Sequence, residues 1–186
     1  KESKIEAMCR LIDVYQLKLM LVFCNTKRRV DEVLEQLSFR GYSVEGLHGD
    51  MRQMQRNSVM AKFRGGTVNI LVATDVAARG IDVDNVEAVF NLDIPQDNEY
   101  YVHRIGRTGR AGKSGKAFTF VSGRNDYEGL KQLQNYTKVK ITKGTLPSSK
   151  DAFKLKIEKF KENVKYLLDS NVSLSDLFLE AVGDLQ

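Results

Sequence analysis

The feature that most constrains the fold is a series of short apolar runs separated by longer amphipathic segments. Residues 19–24 (LMLVFC) and 69–74 (NILVAT) are nearly continuous apolar runs, typical of strands buried on both faces. Further strands are predicted at 44–47, 86–92 and 116–122. Strands that alternate with helices predict an α/β fold, a doubly wound parallel sheet with right-handed crossovers.

Three amphipathic helices are predicted before and between the first three strands. The first covers residues 4–15, and Ser3 opens an S-x-x-E capping box at its start. The second begins after Thr26, a residue type that caps helices, and ends before Gly41. The third covers residues 52–64 and stops at a pair of glycines.

Three polar segments directly follow predicted strands. They are CNTK (24–27), TDVAARGID (74–82) and NLDIPQ (91–96). In doubly wound sheets, ligands bind at the carboxyl ends of the strands. We therefore expect the functional residues of this chain in these three segments.

The segment HRIGRTGR (103–110) concentrates basic side chains between glycines. Arg107 and Arg110 stay protonated and present planar donor forks that suit phosphate oxygens. Gly106 and Gly109 let the backbone turn sharply or approach a ligand closely. The segment predicts an anion site, and a solvated basic turn is the alternative.

Two further segments carry candidate polar groups. Thr74 offers a hydroxyl and an N–H to a phosphate, and Asp75 and Asp82 suit ribose hydroxyls, arginine partners or a metal. A helix cap and a turn are the alternatives for these two carboxylates. Gln53 and Arg56 share one helical face after His48-Gly49-Asp50, which also fits an ordinary polar helix start.

Residues 25–27 (Asn-Thr-Lys) lie where a strand meets a helix start, which is a ready anion site. Thr26 has the simpler alternative of a helix cap. The net charge of +5 is compatible with a nucleic-acid partner, but basic and acidic residues alternate along most of the chain.

The two cysteines, Cys9 and Cys24, each lie in an apolar run, so we interpret both as reduced core residues. The sequence shows no metal-ligand spacing and no apolar span of about 20 residues. We expect a soluble, cytoplasmic protein without a metal site or a membrane segment.

The pattern changes after residue 145, so we predict a sheet domain at 1–145 and a linker with a helical extension at 146–186. The extension carries an apolar stripe at heptad-like spacing, formed by Phe153, Ile157, Phe160, Val164 and Leu167. A second helix is predicted at 173–182. The two helices either pack back on the sheet domain or begin a separate helical element.

The sequence contains no GxxxxGK[ST] phosphate loop. A chain with phosphate-binding arginines but without the loop that cradles a nucleotide predicts half of a split site. In phosphoryl transfer, an arginine finger is able to come from another domain than the phosphate loop. The start KESKIEAM, which lacks an initial Met, suggests a segment of a longer protein.

The motifs resemble those of DEAD-box RNA helicases. TDVAARGID, HRIGRTGR, VFCNT and HGDMRQMQR are similar to motifs V, VI, IV and the Q-x-x-R segment of that family, in the family's order, and the resemblance covers about residues 1–145. It implies the C-terminal RecA-like domain, a three-layer α/β/α unit of the P-loop NTPase type. The N-terminal RecA-like domain, which would bind Mg²⁺, is expected outside this chain.

The resemblance implies a set of ATP-site residues. Arg107 and Arg110 would reach the γ-phosphate of ATP, with Arg110 as the principal finger. His103 would couple to carboxylates of the N-terminal domain. Asp82 and Gly80 would contact ATP on the ribose side.

The resemblance also implies contacts with RNA, mainly through its sugar-phosphate backbone. The implied RNA-binding residues are Asn25, Thr26, Gly49, Thr74, Asp75 and Arg56. The implied interdomain residues are Gln53, Arg79 and Arg104. A non-catalytic RNA-binding module is the alternative function, and it predicts eroded arginines, whereas all the expected arginines are present.

The extension resembles the family less closely. Some bacterial members carry a helical dimerisation domain after the second RecA-like domain. The stripe from Phe153 to Leu167 fits the start of such a domain, and it fits equally well a helix packed on the parent domain. Homodimerisation through these helices therefore stays one of two alternatives.

Overall fold

The computed structural model describes residues 3–81, 83, 86–110, 112 and 114–169. Five strands form one sheet in the order β2-β3-β1-β4-β5, and every neighbouring pair is parallel. The strands are β1 (Met20–Phe23), β2 (Val44–Leu47), β3 (Ile70–Ala73), β4 (Ala88–Asn91) and β5 (Lys116–Thr119). The predicted parallel α/β sheet is confirmed.

The described helices are α1 (Lys4–Tyr15), α2 (Lys27–Phe39), α3 (Gln53–Arg64), α4 (Asp75–Ala78), α5 (Asn98–Ile105), α6 (Gly123–Thr137) and α7 (Ser149–Asp169). The predictions of α1 to α3 are confirmed, and the hydroxyls of Ser3 and Thr26 cap α1 and α2. Helices α4 to α6 were not predicted. They bury few residues, such as Leu133 alone in α6, so their apolar periodicity is weak.

Two apolar clusters cover the two faces of the sheet. On one face, Met20 and Val22 of β1 pack with α1 and α2. On the other face, Leu21 and Phe23 of the same strand pack with α3 and α4. All four residues of β1 are buried, as expected of a central strand in a three-layer α/β/α domain.

Both cysteines are core residues, as predicted. Cys9 and Cys24 are free and buried. Burial raises the pKa of the Cys24 thiol to about 12, and Asp93 adds to this effect. The thiol is therefore protonated near neutral pH and chemically inert.

The start of the extension lies against α1. Nη1 of Arg10 donates to the carbonyl of Pro147 at 2.9 Å, and Ala152 is buried. The apolar stripe itself is not covered by this contact, since Phe153 and Phe160 are 65% and 69% exposed. The helix predicted at 173–182 lies outside the described residues, and the boundary at residue 145 stays a prediction.

None of the helices in the described part of the chain is long and apolar enough to cross a membrane.

Candidate functional site

The sheet order places the carboxyl ends of β3, β1 and β4 side by side, which joins the three polar segments predicted from the sequence. The backbone N–H of Asn25 donates to Oδ2 of Asp93 at 3.1 Å, and its Nδ2 donates to the carbonyl of Ile94 at 2.7 Å. The segments after β1 and β4 are thus tied directly to each other.

Arg104 is the centre of this edge. Its side chain is 1% exposed, and its Nε and Nη2 donate to the two carboxylate oxygens of Asp75 at 2.6 and 2.7 Å. Nη1 donates to the carbonyl of Asp93 at 2.7 Å, and Nη2 also donates to Oδ1 of Asn25 at 2.9 Å. One guanidinium therefore holds the ends of β1, β3 and β4, with the bidentate geometry that makes arginine–carboxylate pairs strong.

The resemblance implied other roles for three of these residues, and those roles stay predictions. Arg104 was expected at the interdomain surface, but its guanidinium lies inside the domain. Asn25 and Asp75, predicted to contact RNA, are partners of this guanidinium through their side chains, and their RNA contact stays a prediction. They pair with Arg104 because a buried charge requires a partner.

Helix α5 directs the side chains of Tyr100 and His103 away from the interior that holds Arg104. Asp97 caps the helix by accepting the N–H of Glu99 at 2.9 Å. Arg104 points into the domain, so His103, one position earlier, is exposed. Tyr100 precedes it by three positions and lies on the same helical side.

A pocket opens between α4 and α5. Its lining residues are Phe23, Asp75, Ala78, Arg79, Tyr100, His103, Arg104 and Arg107. Arg79, His103 and Arg107 give the pocket basic side chains, while the carboxylate of Asp75 is paired with Arg104. The pocket thus suits an anionic group.

Sequence reasoning missed Tyr100. Nη2 of Arg79 lies 3.3 Å from the Tyr100 hydroxyl, and the Arg79 guanidinium lies 5.7 Å from the ring centroid, a cation–π distance. The signal that would have found Tyr100 is its spacing of three residues before His103 on one helix.

The arginines at the end of the HRIGRTGR segment bind backbone carbonyls. Nη1 of Arg107 donates to Ile81 at 2.6 Å, and Nε of Arg110 donates to Gly106 at 2.9 Å. Arg107 and Arg110 are both half-buried. Arg107 thus links the end of α5 to the loop after α4.

The loop after α5, which contains Thr108 and Gly109, is supported by neighbouring elements. Gly109 has a φ of +70°, a conformation that favours glycine. The hydroxyl of Thr108 donates to the carbonyl of Val86. Gly115 packs so closely that an added Cβ would overlap the backbone of Gly109 and the side chain of Thr108. Gly115, which sequence reasoning also missed, is therefore required for this loop conformation.

Helix α3 supports the segment after β3. Nη2 of Arg56 donates to the carbonyls of Ala77 and Arg79 at 2.6 and 3.0 Å. Through these bonds Arg56 holds the segment after β3 against α3, and its implied RNA contact stays a prediction. Gln53, predicted at the interdomain surface, is exposed and donates to Asn57 at 2.9 Å along α3.

Gly80, an implied ATP contact, has a φ of +76°, which lets the chain turn sharply after α4. Asp82, the implied ribose contact, lies outside the described residues. Thr74 begins α4 without a capping hydrogen bond from its side chain. Its half-buried hydroxyl lies at the carboxyl end of β3, where the sequence predicted a phosphate contact.

The loops after β1 and β2 are exposed on either side of the carboxyl end of β3. The hydroxyl of Thr26 accepts the N–H of Arg29 at 3.2 Å, and Gly49 has open space around it. Nζ of Lys27 lies 2.5 Å from Oδ2 of Asp50 and bridges the two loops. The predicted RNA positions Thr26 and Gly49 thus flank a surface ion pair.

Comparisons with known proteins identify the family of this chain. The family described as "Helicase conserved C-terminal domain" matches residues 3–112. The DEAD-box ATP-dependent RNA helicase CshA of Bacillus cereus is 47% identical over 82% of this chain. The chain spans 29% of the length of that relative.

Two solved structures are similar in fold as well as in sequence. A DEAD box protein from Methanococcus jannaschii is 43% identical with a TM-score of 0.70, over 76% of this chain and 38% of that one. The Saccharomyces cerevisiae Dbp5 structure bound to RNA and ADP BeF3 is 32% identical with a TM-score of 0.70, over 85% of this chain and 42% of that one. This chain therefore belongs to the helicase conserved C-terminal domain family, in the RecA-like form found in DEAD-box RNA helicases.

Proposed function

We propose that this chain is the second RecA-like domain of an ATP-dependent RNA helicase and supplies half of a split ATPase site. The observation that carries the proposal is the convergence of Arg79, His103 and Arg107 on one pocket, in a sequence without a phosphate loop. Such a pocket suits a nucleotide that another domain presents.

The ATP half of the proposal assigns roles by reach and charge. Arg107 and Arg110 exchange their carbonyl partners for the γ-phosphate when the two RecA-like domains close. Arg110 is the principal finger, and His103, exposed on α5, contacts carboxylates of the other domain. Asp82 and Gly80 contact ATP on the ribose side, and Mg²⁺ is bound by the other domain.

The RNA half is supported by the names of the similar proteins, since CshA is an RNA helicase and the Dbp5 structure contains RNA. Thr26, Gly49 and Thr74 lie exposed or half-buried at the ends of β1, β2 and β3. They contact the RNA backbone, so we expect little sequence preference. Asn25 and Asp75 belong to the same proposed RNA contacts, and Arg104 fixes their side chains.

Arg104 joins the two halves of the site. It fixes Asn25 and Asp75, which are next to the RNA positions Thr26 and Thr74, and it neighbours His103 on α5. Domain closure around ATP and RNA bends one RNA strand, which is incompatible with a duplex. Hydrolysis and phosphate release then reopen the cleft.

A cytoplasmic location belongs to the same proposal and agrees with the two free, buried cysteines.

The test compares the isolated chain with the complete two-domain helicase. The purified 186-residue chain should show no RNA-stimulated ATPase activity, because it lacks a phosphate loop. In the two-domain protein, Arg110→Ala should lower turnover on the order of 10³-fold, as loss of an arginine finger does.

The control is Arg124→Ala, since the side chain of Arg124 is 90% exposed and pairs with Glu128 within α6. It should leave turnover unchanged. ATPase activity of the isolated chain, with contaminants excluded, would contradict the split site. Near-normal turnover of the Arg110 variant would assign that residue a structural role.

A further inference from the structure

We propose that Tyr100 is a positioning residue for Arg79. Its ring and hydroxyl hold the Arg79 guanidinium at the rim of the pocket between α4 and α5 and leave its charge available for a carboxylate of the other RecA-like domain. The inference rests on the proposed function and adds one residue to its split site.

The backbone of Arg79 is fixed by its neighbours. Its carbonyl accepts a hydrogen bond from Nη2 of Arg56 at 3.0 Å, and its N–H donates to the carbonyl of Val76 at 3.4 Å. A long exposed side chain on a fixed backbone still loses rotamer freedom when it binds a ligand. A contact that holds the side chain in one direction therefore lowers the cost of that binding.

Two contacts join the side chains of Arg79 and Tyr100. Nη2 of Arg79 donates to the Tyr100 hydroxyl oxygen at 3.3 Å, and the guanidinium carbon lies 5.7 Å from the ring centroid. The second distance is that of a cation–π contact. Tyr100 is half-buried and Arg79 is exposed, so the less mobile aromatic ring anchors the exposed cation.

An aromatic partner leaves the charge of the arginine available. Arg104, which lines the same pocket, is paired with the carboxylate of Asp75. Within the described part of the chain, the ion pairs do not include Arg79. A neutral ring orients the guanidinium without cancelling its charge, so Arg79 is able to bind a further anion.

The exposure of Arg79 indicates which anion it meets. Arg107 is half-buried and donates to the carbonyl of Ile81 at 2.6 Å, and the proposed function assigns it to the γ-phosphate. Arg79 is exposed at the rim of the same pocket, so it faces the surface of the closing domain. A carboxylate there suits the planar donor fork of an arginine.

The test measures RNA-stimulated ATPase activity of the two-domain helicase, with kcat and the KM for ATP determined separately. Tyr100→Leu keeps an apolar side chain and removes the ring and the hydroxyl. It should lower kcat by about five- to ten-fold, the effect of losing a cation–π contact. The KM for ATP should change by less than about two-fold, because the Arg79 contact forms only in the closed state.

A conservative variant and a double variant test whether Tyr100 acts through Arg79. Tyr100→Phe retains the ring, so its kcat should stay within about three-fold of the unsubstituted value. Arg79→Ala should lower kcat at least as much as Tyr100→Leu does. Adding Tyr100→Leu to Arg79→Ala should have no further effect, whereas a merely structural tyrosine would lower kcat in both backgrounds.

The chain offers a matched control in a second cation–π pair. Nζ of Lys116 lies 4.9 Å from the ring centroid of Tyr15, which is 47% exposed. Lys116 begins β5, so this pair lies at the amino end of the sheet, away from the pocket. Tyr15→Leu should leave kcat unchanged.

Thermal unfolding of the 186-residue chain checks that the Leu variants fold. If Tyr100→Leu does not fold, Tyr100→Met takes its place in the same double-variant comparison, since its longer side chain fills more of the space of the ring.

The outcomes separate this inference from the proposed function. If the two-domain protein is active and Tyr100→Leu has the unsubstituted kcat, the inference is wrong and the proposed function stands. An equal loss of kcat from Tyr100→Leu in the Arg79→Ala background also overturns it. So does a higher KM for ATP at unchanged kcat, which would place Arg79 on the nucleotide. If the unsubstituted two-domain protein shows no RNA-stimulated ATPase activity, the proposed function is wrong and the inference falls with it.

Discussion

Two ion pairs lie at the carboxyl edge of the sheet, and their surroundings are opposite. Arg104 and Asp75 have side chains 1% and 13% exposed, and the guanidinium has further partners after β1 and β4. Lys27 and Asp50 are 63% and 61% exposed and join the loops after β1 and β2. The same pairing of charges therefore occurs once as an internal support and once as a surface contact.

The difference shows that one edge of the sheet holds both a pair with fixed partners and a pair that is able to change partners. A buried guanidinium is costly to leave unpaired, so its partners keep fixed positions. An exposed ammonium group loses little when it changes partner, because water solvates it. The shape of the edge therefore depends on Arg104, whereas the exposed Lys27–Asp50 pair contributes little to it.

The largest expected effect comes from a substitution that breaks the pair of Arg104 and Asp75. Arg104→Met should lower the free energy of unfolding by about 3–5 kcal/mol, because it leaves the half-buried carboxylate of Asp75 without its main partner. Urea denaturation followed by circular dichroism measures this change.

The matched control is Arg124→Met on α6, where the Arg124 side chain is 90% exposed and pairs with Glu128. This substitution should change stability by less than about 0.5 kcal/mol. Equal stability of the two variants would show that the edge does not depend on the buried pair.

A smaller effect concerns the loop that carries Arg110. Gly115→Ala should cost about 1–3 kcal/mol of stability, because the added Cβ overlaps the backbone of Gly109 and forces a shift. Thermal unfolding measures this change. Gly144→Ala is the control, since nothing lies within 4 Å of its added Cβ. If Gly115→Ala leaves the stability unchanged, the loop is able to relax around the added Cβ and its conformation does not depend on Gly115.

The smallest expected effect concerns the pKa of Asp50 in the exposed pair with Lys27. The hydrogen bond and charge of Lys27 lower the pKa of Asp50 below 3.8 in the folded state. The pairing is therefore present above that value and is lost as the pH falls through the lowered pKa. NMR titration of the Asp50 carboxyl should show its midpoint returning toward 3.8 in Lys27→Gln. An unchanged midpoint would show that the ion pair is not formed in solution.

Much of the fold could be predicted because the central strands are buried on both faces. Their continuous apolar runs, such as 69–74, are clear in the sequence, and the helices that cover them have regular apolar spacing. Helix α6 was missed because Leu133 is its one buried residue among those described. Helix α4 was missed because four residues are too few to show a period.

The candidate site was predicted in part. The residue types and their places after strands pointed to the edge where the pocket lies, because parallel strands end together. The direction of each side chain was not predictable. His103 and Arg104 are adjacent in sequence and both are basic residue types, yet Arg104 is buried and His103 is exposed.

The sequence by itself determined the parallel α/β class, the edge at which the polar segments meet and the family resemblance, since these depend on local patterns and motif order. Only the tertiary structure decided that Arg104 supports the domain from within, that Tyr100 holds Arg79 and that Lys27 meets Asp50. Partners in these contacts lie far apart in the sequence. Arg104 and Asp75 are separated by 29 positions, and Lys27 and Asp50 by 23. The order of the strands and the rotation of α5 bring such partners together, and neither is encoded in a local pattern.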